Sequence, residues 1–224
     1  VRGGGHNIAG HGTVDSGLVL DLGQLRGVDV DVEHRLVTVE PGATLADVDR
    51  ATATHGLAVA LGVISATGVA GLTLGGGVGW LTRSNGLSLD NLDSADVITA
   101  TGEHLQASEQ ENPELFWGLR GGGGNFGVVS SFTFRARPLP AAVLGGNFFY
   151  RPTRWKSALK AFDRWTQDLP EEMNPIVSFL VLPPDLDMGE EPWMIIGFAW
   201  ASENHQPGLE LIEQLRAAAP PDEE

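Results

Sequence analysis

Thirty of the 224 residues are glycine, and they gather in clusters instead of recurring at a fixed period. That pattern excludes collagen and points to places where backbone must turn sharply or approach something closely. The first cluster, RGGGHN at 2–7, sets consecutive N–H groups in a turn with no Cβ in the way. Such a turn can form an anion-binding nest that suits a pyrophosphate, although a tight loop that merely needs glycine accounts for it equally well. The second cluster, ATGVAGLTLGGGVGW at 66–80, is too apolar for a loose surface loop and too glycine-rich for a strand or helix. It predicts burial against something flat: a planar ring system, or a second stretch of backbone. The third, GLRGGGGNFGVV at 118–129, contains a G-x-G-x-x-G match at Gly122, Gly124 and Gly127. A dinucleotide fingerprint must follow a strand and open a helix, whereas this match follows a predicted helix and opens a predicted strand. A nicotinamide site of that kind is therefore excluded by context, and no G-x-x-x-x-G-K-[ST] loop is present.

Composition narrows the remaining classes. The formal charge is −15, with Lys156 and Lys160 the only lysines among fourteen basic residues, so a nucleic acid would be repelled over most of the surface. A high-GC bacterial genome would account for arginine over lysine. The absence of cysteine removes disulfides, thiolate nucleophiles and cysteine-based metal sites together. His6, His11 and Asp15 match no common metal-ligand spacing, so no metal is expected. His34, His55, His104 and His205 lie in polar surroundings and read as surface or capping residues, and no G-x-S-x-G elbow supports serine hydrolysis. No run of eighteen apolar residues suggests a membrane span. A chain of this length can bury roughly 70% of its unfolded surface, so a packed core needs no covalent staples.

Along the chain, LVLDL at 18–22 and RLVTVEP at 35–41 read as strands joined by the polar segment DVDVEH at 29–34. Thr44 with Asp47 opens a helix whose apolar positions Leu45, Val48 and Ala51 share a face, and Gly56 closes it. ADVITA at 95–100 reads as a strand, Asn112-Pro113 starts a short helix, and VVSSFTFRARPL from Val128 reads as a long alternating strand. After the prolines at 138 and 140 the composition shifts. Strand 144–150, helix 153–169, strand 176–182, strand 193–201 and helix 207–219 then suggest a separate α+β domain with an exposed sheet edge. Residues 1–138 and 139–224 are accordingly the two expected domains. The abrupt start at Val1-Arg2 and the acidic end at Glu224 suggest that neither is the natural terminus.

Taken in order, RGGGHN, GVISATGVAGLTLGGGVGWLTRSNGLSLDNL and ELFWGLRGGGGNFGVV resemble the berberine-bridge-enzyme-like branch of the vanillyl-alcohol-oxidase flavoproteins. The resemblance implies an α+β fold: a PCMH-type FAD-binding domain, built of two α+β halves, followed by the start of a substrate domain with an antiparallel sheet, the flavin lying between them. Carried over residue by residue, it assigns Arg2, Gly3, Gly4, Gly5, His6 and Asn7 to the diphosphate loop. It assigns Thr67, Gly68, Val69, Ala70, Gly71, Leu72, Gly77, Val78 and Gly79 to the ribityl and isoalloxazine path, with Trp80 and Asn91 beside it. Gly127, Val128 and Val129 fall further along the cofactor.

His6 matches the histidine that this family joins to the flavin 8α-methyl carbon, and an imidazole nitrogen held beside that electrophilic carbon can add to it. Many relatives add a second tether from a cysteine. Ile64 stands at that position, which implies a single tether. The implied activity is oxidation of a small-molecule alcohol or C–H substrate by hydride transfer to flavin, with oxygen as electron acceptor. A dehydrogenase using another acceptor and a non-catalytic FAD-binding fragment are the alternatives. Tyr150, the only tyrosine, reads as packing, and no catalytic base is assigned.

Overall fold

The protein is described by a computed structural model covering residues 1–224, and it divides into two compact units, Val1–Ala141 and Ala142–Glu224. The first unit is built on a five-stranded antiparallel sheet. Its strands are β1 (Val28–Asp31), β2 (Leu36–Val39), β4 (Leu92–Ile98), β5 (His104–Ser108) and β6 (Val128–Arg135), in the order β1-β2-β6-β4-β5. A short pair, β3 (Leu57–Ala58) with β7 (Arg137–Pro138), stands apart from it. The helices are α1 (Leu45–Ala53), α2 (Val69–Leu74), α3 (Thr82–Asn85) and α4 (Pro113–Leu119).

Central β6 carries the core. Phe132 and Phe134 are fully buried and stack with ring centroids 6.1 Å apart, packed with Val37, Val39 and Val97. A fully buried apolar side chain of this size contributes about 1.5–3 kcal/mol, so a few such residues outweigh any surface ion pair in the unit. The first helix begins where Thr44 and Asp47 predict. Thr44 N–H donates to Asp47 Oδ2 at 2.8 Å, and Leu45, Val48 and Thr52 form the buried face.

Two expectations are corrected. Residues 18–22 are not a strand; only an isolated bridge between Arg2 and Asp21 forms there. The strand lies instead at Val28–Asp31, overlapping the start of the segment that reads as a turn, because Val28 and Val30 alternate with Asp29 and Asp31 at the two-residue period of a half-buried strand. The glycine-rich second cluster also contains a helix after all, α2, whose Val69, Thr73 and Leu74 are buried. Tertiary burial overrides the low helix propensity of its glycine.

The second unit holds β8 (Leu144–Tyr150), β9 (Met173–Leu180) and β10 (Trp193–Trp200), with α5 (Trp155–Trp165) and α6 (His205–Ala218). The sheet order is β8-β10-β9, antiparallel throughout. Central β10 is buried at all but one position, and its Met194, Ile196, Phe198 and Trp200 share a core with Ala158, Ala161, Ile212 and Leu215 from the two helices. Tyr150 is wholly buried, and its hydroxyl donates to the Ala219 carbonyl at 2.9 Å. Burial pushes its phenol up to about 12, which suits a packing residue and not a base.

Candidate cofactor site

The three glycine clusters, far apart in sequence, meet around α2. Arg2 leads in: its N–H donates to the Leu20 carbonyl at 2.9 Å, and the Leu22 N–H donates back to the Arg2 carbonyl at 2.8 Å. The chain then crosses directly over the start of α2. A Cβ placed on Gly4 would lie 2.5 Å from the backbone of Gly68, and one on Gly68 would lie 2.6 Å from that of Gly4. No side chain fits at either position without forcing the loops apart. Gly68 is the N-cap of α2, and the Val69 N–H donates to the Ala43 carbonyl at 3.0 Å. The carbonyls of Ser65 and Thr67 accept from the Ala46 and Leu45 amides, satisfying the first turn of α1. At the other end of α2, the Leu74 carbonyl accepts the Gly123 N–H at 2.9 Å, which brings in the third cluster.

An open cleft of about 400 Å³ is lined by Arg2, Gly3, Gly4, Gly5, Asn7, Gly10, Gly12, Thr13, Asp21, Gly23 and Gln24. Gly3, Gly4, Gly5 and His6 make no hydrogen bond within the chain, so four consecutive amide donors remain for another acceptor. Beyond them, Asn7 organises the return of the loop: its carbonyl accepts the Gly10 N–H and its side-chain oxygen accepts the His11 N–H, each at 3.1 Å. His6 itself is exposed. The guanidinium of Arg2 is engaged with Asp21, Nη2 to Oδ2 at 2.5 Å. The hydrogen bond from Arg2, followed by that from the Gly23 N–H, holds the Asp21 carboxyl below its ordinary value, and the same partner raises Arg2. With its one guanidinium paired to a carboxylate, the donors left in the cleft's lining include the backbone amides of Gly3, Gly4 and Gly5, and His6 lies just outside that lining.

The second cluster divides into two kinds of position. Gly68, Gly77 and Gly79 exist for close packing: a Cβ on Gly79 would meet the Leu61 carbonyl oxygen at 1.7 Å, and one on Gly77 would meet Ser88 Oγ at 2.2 Å. Contact within the protein, the plainer of the two explanations for this run, is therefore what the structure shows at these three. Val69 is fully buried, and Ala70 and Leu72 pack against the core. Thr67 and Trp80 are half-buried. The other kind is open: Gly71 is exposed, and Ile64 and Val78 leave 60% and 63% of their surfaces uncovered. Asn91 is almost wholly buried and braces its own loop, donating to the Asn85 and Leu87 carbonyls at 2.8 and 2.9 Å.

In the third cluster, Gly127 has φ 148° and a Cβ there would lie 2.6 Å from the Ile98 carbonyl oxygen. It follows α4 and opens β6, the reverse of a dinucleotide fingerprint. Val129 faces the core and Val128 is half-buried. Strand β2 pairs only with residues 132–135 of β6, so 128–131 present one edge without a strand partner. Asp21, Gly10, Gly12, Thr13, Gly23 and Gln24 line the cleft without having been legible as site residues in the sequence. The available signal is Asp21, a lone carboxylate within the apolar run LVLDL.

This glycine-built frame, with its row of free amides, defines an FAD-binding domain, and residues 1–108 match the FAD binding domain family. Residues 1–108 thus belong to the FAD binding domain family, and the chain takes the PCMH-type fold of the berberine-bridge-enzyme-like FAD-linked oxidoreductases to which it is similar. An FAD-linked oxidoreductase of Dictyostelium discoideum is 40% identical over 168 residues, 74% of this chain and 37% of that protein. The crystal structure of 6-hydroxy-D-nicotine oxidase from Arthrobacter nicotinovorans superposes with a TM-score of 0.88 at 30% identity, covering 100% of this chain and 48% of that one. Glucooligosaccharide oxidase from Acremonium strictum, whose FAD is 6-S-cysteinyl and 8α-N1-histidyl, superposes with a TM-score of 0.80 at 29% identity, covering 97% and 45%. The chain thus spans about a third to a half of the length of the relatives it matches.

Proposed function

We propose that this chain is the FAD-holding portion of an oxidase whose flavin is attached through a single bond to His6. The observation that carries the reading is the loop before α2: four unpaired amides ending in an exposed histidine, fixed by the crossing of Gly4 over Gly68. Arg2, Gly3, Gly4, Gly5, His6 and Asn7 are the diphosphate loop, in which the donors are the free amides of Gly3 to His6, each contact to a charged oxygen being worth about 1.5–3 kcal/mol, while Arg2 anchors the loop through Leu20 and Asp21. Ile64, Thr67, Gly68, Val69, Ala70, Gly71, Leu72, Gly77, Val78, Gly79 and Trp80 form the wall along the ribityl chain and ring. There the open surfaces of Ile64, Gly71 and Val78 offer contact, while Gly68, Gly77 and Gly79 set the backbone. Gly127 leads into β6, and Val128 and Val129 lie in its stretch that β2 leaves unpaired. Asn91 serves by bracing the 85–91 loop.

Bound FAD supplies hydride acceptance from a small-molecule alcohol or C–H donor and delivery of the electrons to oxygen. Ile64 stands where a cysteine makes the second bond in doubly tethered relatives, so attachment here is single. The test is acid precipitation of the purified full-length protein. Yellow colour that stays in the pellet, and moves to the supernatant in His6→Ala, supports the tether; colour released from both overturns it. Oxygen uptake and peroxide release during turnover separate an oxidase from a dehydrogenase.

A further inference from the structure

The geometry points to Asp21 as a positioning residue for flavin attachment, acting through Arg2 on the loop that presents His6; the inference rests on His6 being the attachment point. Backbone pairing fixes Arg2 only up to its Cα, through the bonds to Leu20 and Leu22. The far end of the side chain is held by Asp21 Oδ2, while Oδ1 of the same carboxylate accepts the Gly23 N–H at 3.0 Å. Between those two anchors the Arg2 stem passes beneath two glycines. A Cβ built on Gly5 would lie 3.8 Å from Arg2 Cδ, and one on Gly12 would lie 3.6 Å from Arg2 Cγ. Gly5, at φ 71°, is the turn residue immediately before His6, and Gly12 is on the return of the same loop. The stem is therefore a floor under both arms of the loop.

As a stabilising pair, Arg2 and Asp21 count for little, because each leaves nearly half of its side chain exposed, 44% and 46%. As a strut they matter more. Release of the guanidinium would let a long side chain explore other rotamers and withdraw the floor from Gly5. A shift of about 1 Å at a reacting atom can lower a rate about 100-fold. The step served here is balanced as follows. A bond forms between an imidazole nitrogen of His6 and the flavin 8α carbon; one proton leaves that carbon and one leaves the imidazole. Two electrons enter the flavin ring, and dioxygen removes them with two protons as hydrogen peroxide.

The test uses the full-length protein produced under riboflavin limitation and then mixed with FAD. Acid-precipitable flavin is followed over time, with flavin fluorescence quenching as the measure of noncovalent binding. Asp21→Asn should attach flavin at least about tenfold more slowly even though quenching shows FAD bound at least as tightly as in the parent, because the lost carboxylate frees the Arg2 guanidinium for an anion, and the thermal midpoint should stay close to that of the parent. Asp21→Glu should recover some of the rate, and Arg2→Met, which leaves the Gly23 bond intact, should be slow in its own right. Asp21→Asn should add nothing in the Arg2→Met background. Attachment at the parental rate in Asp21→Asn or in Arg2→Met overturns the inference, as does an Asp21→Asn effect that persists undiminished without Arg2. A parent protein whose acid pellet is colourless overturns the His6 reading and this role with it, a result distinct from a yellow parent with an unaffected variant.

Discussion

A methyl group at position 4 would sit 2.5 Å from the backbone of Gly68, whereas one at position 71 would meet nothing within 4 Å. The two glycines therefore test different things. Gly4→Ala must force two backbone segments apart, and a stability loss of more than about 2 kcal/mol is expected, with the cofactor lost as well. Gly71→Ala lies inside α2, where alanine is favoured over glycine by about 0.5–1 kcal/mol, so the thermal midpoint should hold or rise. If Gly71 lies against the flavin, as proposed, the same methyl group should weaken FAD retention. Midpoint and flavin content measured on both variants check this, and a Gly71→Ala protein with unchanged flavin would remove Gly71 from the wall. Sequence alone cannot make this distinction. GLTLGGGVGW shows that small residues are needed, but not which of them touch backbone and which stay open.

At the scale of elements, α2 is a six-residue helix that ties the three clusters together, its N-cap against Gly4 and its last carbonyl bound to Gly123. It is illegible in the sequence because so short a helix has no stable existence outside its tertiary contacts. Elements with strong local signals, α1 with its capping pair and β6 with its alternation, are readable from sequence, and β1 escapes only because its aspartates read as turn formers. The start of α1 matters to the site, since its first amides bind the loop carrying Ser65 and Thr67. Burial alone would raise the Asp47 carboxyl, but the Thr44 amide, the Arg26 guanidinium and the Thr44 hydroxyl outweigh it and hold it well below the usual range. A carboxyl depressed in the folded state stabilises above its unfolded value of about 3.9 and loses that contribution as pH falls towards the folded value. Asp47→Asn should therefore cost about 1 kcal/mol at neutral pH. The gap in thermal midpoint between parent and variant should shrink steadily below about pH 4. A gap that stays constant down to about pH 2 would mean that the charge of Asp47 is not what anchors the helix.

For the whole molecule, a net charge of −15 and a cofactor with a diphosphate raise a question of sign. Flavin sites that rely on lysine or arginine lose affinity as salt screens the attraction. Here the cleft presents amides, and its one guanidinium is already paired with Asp21, so the long-range field is repulsive and the local attraction is short-ranged. Salt acts mainly on the former, because the screening length falls from about 30 Å at 0.01 M to about 8 Å at 0.15 M, whereas hydrogen bonds to amides operate at contact. Raising ionic strength should therefore speed the association of FAD, with little change in its dissociation. The measurement is stopped-flow quenching of flavin fluorescence in full-length His6→Ala, which isolates the noncovalent step, from about 0.01 to 0.5 M salt. An association rate that climbs several-fold over that range fits an amide cradle inside an acidic protein. A rate that falls would mean that an unpaired cation, outside the groups identified at this cleft, steers the diphosphate in, and the loop of Gly3, Gly4, Gly5 and His6 would no longer suffice as its binding site.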